Sequence, residues 1–220
     1  MLPFIHQQTL ESRKLYLTFR AFNRAGAFSS PSLAPVTLDL TPPIHGTIVV
    51  TSAAQGFQTS GSLVRAQWTG FVDHESGVVG FAWAIGTEKF GSDLLPFTSV
   101  GLAMQAGANI TEQATGAILF VTVRATNGVA LNSEVTSSEI LVDLEPPAVS
   151  AARVNDGVSG ADEAFQLSSS VFASSWSDFV PSVSPIAGYE LGFGLAPGET
   201  QLVPFTDVGD ALNASLALAA

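Results

Sequence analysis

Asp73, His74, Glu75 and Ser76 form the densest run of chemistry-bearing side chains in this 220-residue sequence. Two carboxylates at alternate positions could serve Ca²⁺ together with a backbone carbonyl, because calcium collects clustered oxygen ligands. The same pair could be taken for the two carboxyl groups of a glycosidase. The competing reading is a solvated turn in which Gly77 adopts a backbone angle that side chains disfavour. The turn is the simplest of the three. Calcium at Asp73 and Glu75 stays open beside it, and catalysis is not expected.

Other candidate chemistry is dispersed. His6, His45 and His74 are the only histidines, and no two stand at zinc-ligand spacing. The absence of cysteine removes disulfides, thiolate metal sites and a thiol nucleophile. No nucleophile elbow, phosphate loop or H-E-x-x-H motif occurs, so no residue is assigned as catalytic and no cofactor beyond the calcium option is expected. Asn109-Ile110-Thr111 and Asn213-Ala214-Ser215 match the N-glycosylation acceptor pattern. Both follow a Pro-Phe-Thr motif and read as loop residues, modified only if a eukaryote secretes the chain.

The elements that must carry these residues follow from composition and periodicity. Charged residues make up only 12%, against 46% hydrophobic, 20 glycines and 12 prolines, a mixture suited to short strands and turns. The net charge of −11 repels a phosphate backbone and disfavours anionic membrane surfaces. Val121, Val123 and Ala125 alternate with Thr122, Arg124 and Thr126, the first set reading as core and the second as solvent face. Val64, Ala66 and Trp68 alternate in the same way, as do Phe81, Trp83 and Ile85, so the tryptophans read as core and not as a sugar-stacking platform. Ile140, Val142 and Leu144 alternate with an outward Asp143. Roughly seven strands per copy, without helical periodicity, indicate an all-β sandwich.

The sequence repeats itself. Leu15–Pro43 aligns without gaps on Leu119–Pro147, pairing Arg20, Asn23, Asp39 and the prolines Pro42-Pro43 with Arg124, Asn127, Asp143 and Pro146-Pro147, 104 residues on. A second match pairs Trp68, FAWAIG and PFTSVG with Trp176, YELGFG and PFTDVG, now 108 residues on. The four extra residues are expected within Asn155–Glu163. Asp73 and Glu75 have no acidic counterpart in the later copy, so calcium is not a fixed element of the repeat. A period of domain length means tandem domains. The Pro-Pro pairs, which cannot donate to a ladder, mark the boundaries: the end of one copy at 1–41, a complete copy at 42–145, and the front of a third at 146–220.

WTGFVDHESG, FAWAIG, PFTSVG, VTVRATN and the closing VDLEPP, in this order and partly twice over, resemble fibronectin type III-like domains from large extracellular tandem arrays. The resemblance implies immunoglobulin-like β-sandwiches and a non-catalytic role in spacing, adhesion or protein interaction. The alternative is an accessory module of a secreted enzyme, one that binds carbohydrate. The tyrosine usual at the start of the sixth strand is replaced by Leu119 and Leu15, with Phe120 and Tyr16 on the opposite face, and Arg-Gly-Asp is absent. The expected setting is extracellular or cell-surface, within a longer chain. The opening MLPFIHQQTLESRK has no signal-peptide core, and no apolar run reaches membrane-span length. The expected partners are other proteins or neighbouring domains, with no nucleic acid and no membrane insertion. Strand exchange between the terminal partial domains of two chains is a further expectation.

Overall fold

The computed structural model describes residues 14–29, 35–158, 160, 162, 165, 168 and 170–217; His6 lies outside the described residues. The chain divides into two compact units, Met1–Val142 and Asp143–Ala220. This division keeps the first Pro-Pro pair inside the first unit and begins the second at the aspartate that precedes the other pair.

The first unit opens with a hairpin of β1 (Lys14–Tyr16) and β2 (Pro35–Thr37), a two-stranded sheet of its own. An antiparallel bridge between Phe22 and Phe28 extends the pairing. Asn23 folds the connecting turn by accepting the N–H groups of Ala25 and Ala27 on Oδ1, the side-chain mimic of a backbone turn.

The chain then builds a sandwich from β3 (Thr47–Val50), β4 (Phe57–Gln58), β5 (Leu63–Thr69), β6 (Val78–Gly86), β7 (Leu95–Gly101), β8 (Gln105–Asn109), β9 (Ile118–Asn127), β10 (Asn132–Thr136) and β11 (Ile140–Val142). One sheet has the order β3-β5-β8 and the other runs β4-β11-β9-β6-β7, with β10 also on β9. The core lies between them. Val64, Ala66 and Trp68 face Phe81, Trp83 and Ile85 and the β9 residues Leu119, Val121, Val123 and Ala125, all buried. Trp68 meets Phe81 edge-on at 6.0 Å and Trp83 at 6.5 Å. Truncating a ring so enclosed costs about 3–5 kcal/mol. Leu119, at the place of the usual tyrosine, is fully buried in this core, and Phe120 lies on the other face, also buried.

Three expectations need correction here. Thr122 does not face solvent: it is fully buried, and its hydroxyl lies 3.4 Å from that of Thr136. Its neighbours on that face are Ala84, directly opposite on β6, and Arg124, two residues along and paired with Glu134; small residues beneath and a fixed guanidinium beside it leave no solvent path. Leu144 is exposed, and Asp143, expected outward, is buried at 6% exposure. The strand alternation ends with β11 at Val142, so the residues beyond no longer obey it.

The second unit repeats much of this plan with β12 (Arg153–Asp156), β13 (Val171–Ser177), β14 (Tyr189–Phe193), β15 (Val203–Gly209) and β16 (Asn213–Ala217). Its sheets are β12-β13-β16 and β14-β15. Tyr189 pairs with Gly209 and Phe193 with Val203, as Phe81 does with Gly101 and Ile85 with Leu95, each 108 residues earlier. Gly101 and Gly209 share a left-handed backbone, φ 61° and 60°, which glycine adopts without a Cβ penalty. Trp176, the counterpart of Trp68, is buried, and neither indole N–H finds an acceptor. The extra residues are not all in Asn155–Glu163. The bridge Ala148–Val180 matches Ile44–Val72, whereas Arg153 already pairs with Ser177 as Thr47 does with Thr69. Arg153 stands 106 residues after Thr47, so two of the four insertions precede β12.

Candidate functional site

The site grows from a local backbone problem. Pro42 and Pro43 have no N–H, so the chain leaving the first hairpin cannot continue a ladder. Asp39 folds it instead: Oδ1 accepts the Thr41 N–H at 3.1 Å. Its other oxygen reaches into the sandwich, accepting the Ser76 hydroxyl at 2.5 Å and the Asn127 amide at 2.9 Å. Asp39 is buried at 7% exposure, where a carboxylate needs such partners.

Asn127 is the hub. Its amide nitrogen also lies 2.9 Å from the Thr41 carbonyl and 3.0 Å from Asp73 Oδ2, and Oδ1 accepts the N–H groups of Val129 and Leu131. It sits at the last position of β9, so the sheet aims it at the linker. Asp73 Oδ1 accepts the N–H groups of Glu75, Ser76 and Gly77. Gly77 has φ 75°, the unusual angle expected of this turn. Partial burial works to raise the Asp73 carboxyl, but the Asn127 amide and the Ser76, Gly77 and Glu75 N–H donors outweigh it and hold it below its ordinary value.

Asp73 and Glu75 therefore do come together, with Asp39 as a third carboxylate; one oxygen from each lies within 4.8 Å of the others. Ca²⁺ takes roughly six to eight oxygens. Both oxygens of Asp39 and both of Asp73 already accept hydrogen bonds. A cation there would have to share or displace those donors. The arrangement as it stands is a linker clamp.

The second unit builds its own version. Asp143 Oδ1 accepts the Glu145 N–H at 3.3 Å. The Ser182 hydroxyl lies 2.6 and 2.5 Å from its two oxygens, and Ser184 donates both its N–H at 3.0 Å and its hydroxyl at 2.5 Å to Oδ2. Ser182, then Ser184, outweigh desolvation and, with backbone N–H groups, hold the Asp143 carboxyl down at about 2.

Asp39, Asn127, Ser182 and Ser184 were not singled out as site residues from the sequence. A signal was there: Asp39 and Asp143 coincide in the repeat, as do Asn23 and Asn127, and Ser184 follows Ser76 by 108 residues. What links the sets is tertiary, since Asp39 and Asn127 are 88 residues apart.

The strand order of the complete sandwich decides the fold: three strands β3-β5-β8 face a sheet in which β6 and β9 are central, β7 flanks β6 and β10 flanks β9. The fold is fibronectin type III-like. No protein-family model matches the chain, and a search of curated proteins gives no match. Among solved structures, the crystal structure of chicken CNTN1 FN1-FN3 domains is similar at 19% sequence identity and a TM-score of 0.40, over 91% of this chain and 66% of that one.

Other candidates fall elsewhere on the fibronectin type III-like units. His45 and His74 are exposed. Asn109 and Asn213 are exposed and lie on strands, not in loops, Asn109 closing β8 and Asn213 opening β16. They occupy opposite ends of equivalent strands, because the two triplets begin at different distances from the preceding glycine. Arg124 pairs with Glu134 at 2.7 Å and lies 3.8 Å over the Phe97 ring, the packed stem with a paired tip that an outward arginine favours. A groove of about 570 Å³ on the β3-β5-β8 sheet is lined by residues including Thr47, Gln67, Met104 and Gln105, with no ionisable side chain.

Proposed function

We propose that this chain is a non-catalytic array of fibronectin type III-like modules that spaces and presents protein-binding surfaces in an extracellular or cell-surface setting. One observation carries the reading: an aspartate ahead of each Pro-Pro pair is buried in the sandwich that follows and bonded to it, Asp39 through Ser76 and Asn127, Asp143 through Ser182 and Ser184. A linker tied to the next module limits the angles available at each joint, which is what a spacer needs and an enzyme does not.

Small-angle X-ray scattering at low concentration tests this. Asp143→Ala should broaden the interatomic distance distribution and raise the radius of gyration, with circular dichroism unchanged. A scattering curve identical to that of the unaltered chain would contradict a joint-fixing role. The carbohydrate-binding alternative has less support, because Trp68, Trp83 and Trp176 are all buried and offer no stacking face. Saturable binding on a glycan array would reverse that preference.

A further inference from the structure

The chain has six asparagines. Four have a side-chain task within the fold. Asn23 and Asn127 close turns, Asn132 accepts the Thr126 hydroxyl, and Asn155 donates to the Gly160 carbonyl. Asn109 and Asn213 are the other two, and among the described residues their side-chain amides meet no partner. They are also the two that open an N-x-Ser/Thr triplet, Asn109-Ile110-Thr111 and Asn213-Ala214-Ser215. Asn109, Thr111, Asn213 and Ser215 are all exposed, so a bulky substituent on either amide displaces no bond of the fold.

The triplets are not two copies of one motif. At the 108-residue offset Asn109 falls on Ala217, and Asn213 falls on Gln105. Yet both asparagines lie on the same strand of the plan, β8 in the order β3-β5-β8 and β16 in the order β12-β13-β16. That strand closes its sheet, and an edge strand offers unpaired backbone groups to any other chain unless something blunts it. Other strands carry such devices. β7 has Pro96 and two register irregularities, β10 has Glu134, and β3 and β4 are only four and two residues long. β15 has Pro204, Asp207 and two register irregularities, β14 has Glu190, and β12 has Arg153 and Asp156. β8 and β16 have none: each is five residues long, in unbroken register with its neighbour, without a charge or a proline. What each does carry is one of the two free asparagines. In both strands exposed positions alternate with half-buried ones, which sets Asn109 and Asn213 on the outer face.

We propose that Asn109 and Asn213 are N-glycosylated, and that the oligosaccharides guard the β8 and β16 edges against pairing with other chains. The co-reactant is a lipid-linked oligosaccharyl diphosphate, handled by its transferase. Asparagine Nδ2 bonds to the anomeric carbon of the first sugar and gives up one proton. The bond from that carbon to the diphosphate oxygen breaks, and the lipid diphosphate leaves with the electron pair. Each hydrated glycan then stands beside an otherwise unblunted edge and excludes an incoming strand by bulk, where lysine would do so by charge. The inference rests on the extracellular reading, because this transfer belongs to the secretory route.

The full chain, secreted from cultured eukaryotic cells behind an added signal peptide, should carry two glycans. N109Q and N213Q should each lose one, and the two together should lose both. Release by peptide-N-glycosidase in heavy-oxygen water should leave a labelled aspartate at each position by mass spectrometry. The guarding role is read by size-exclusion chromatography with light scattering. N109Q with N213Q should self-associate at a concentration about tenfold lower than the glycosylated chain, whereas N109K with N213K, which protects the same edges by charge, should not. A secreted, folded chain with both sites empty would overturn the inference and leave the extracellular reading standing. Retention inside the cell with both sites occupied would support the sites and count against the extracellular reading instead. Equal association of the glutamine pair, the lysine pair and the glycosylated chain would overturn the guarding role.

Discussion

The two junctions solve one problem with different donors. At the first, Asp39 shares a crowded corner with Asp73 and Glu75, and a single amide, Asn127, bridges Asp39 and Asp73 while binding the linker carbonyl of Thr41. At the second, Pro181 and Val183 stand where Asp73 and Glu75 stood, and Ser182 stands in place of His74. The neighbouring carboxylates are gone and a second hydroxyl has arrived, so the side chains that hold Asp143 are serines, beside the backbone N–H of Glu145. Two contacts are common to both: the junction aspartate accepts the N–H two residues on, Thr41 or Glu145, and the serine at the end of the turn, Ser76 or Ser184, donates its hydroxyl to it. The repeat therefore keeps the aspartate–serine tie and varies what surrounds it. A corner with several carboxylates needs an amide between them; a corner with one does not.

The comparison can be broken most strongly at the hub. Asn127→Ala removes the donor shared by Asp39 and Asp73 and frees two turn N–H groups, leaving the buried Asp39 carboxylate facing the half-buried Asp73. It should lower the stability of the first unit by about 3 kcal/mol in urea denaturation. Asp39→Ala loses the linker tie but also removes one of the like charges, so about 2 kcal/mol is expected from the same measurement. If Asp39→Ala proved the more damaging, the hub assignment would be wrong. Asp73→Asn keeps an acceptor for the three turn N–H groups, loses the Asn127 bond and relieves like-charge crowding. Its cost should be about 1 kcal/mol or less. The smallest effect expected is that of calcium. Because the carboxylate oxygens of Asp39 and Asp73 are already engaged, millimolar Ca²⁺ should leave the melting temperature unchanged. A rise abolished by Asp73→Asn would instead mark a calcium site.

Much of the fold could be read from alternation and repetition. Val64, Ala66 and Trp68, Phe81, Trp83 and Ile85, and Val121, Val123 and Ala125 are buried as their period of two implies. Alternation works where a strand has one wet face, and it fails where that condition lapses. Thr122 lies on a central strand whose outer face is closed by Arg124 and its partner Glu134. Asp143 lies one residue past a strand end, where the chain turns to meet Ser182 and Ser184. The candidate site was half legible. Asp73, Glu75 and Gly77 are neighbours in sequence, and their turn chemistry is local. Asp39 and Asn127 are joined to them only by folding, and a period-two pattern carries no information about which distant amide meets which carboxylate.

The central claim is that the aspartate before each Pro-Pro pair is fastened to the sandwich that follows, and titrating the Asp143 carboxyl by NMR tests it most directly. The account predicts a midpoint of about 2, below the ordinary 3.8. The serine bonds then stabilise the folded second unit fully above pH 3.8, and their contribution is lost as the pH falls through about 2. With both Ser182→Ala and Ser184→Ala in place, the midpoint should move back up toward 3.8. A midpoint already at 3.8 in the unaltered chain, unmoved by those substitutions, would contradict the account.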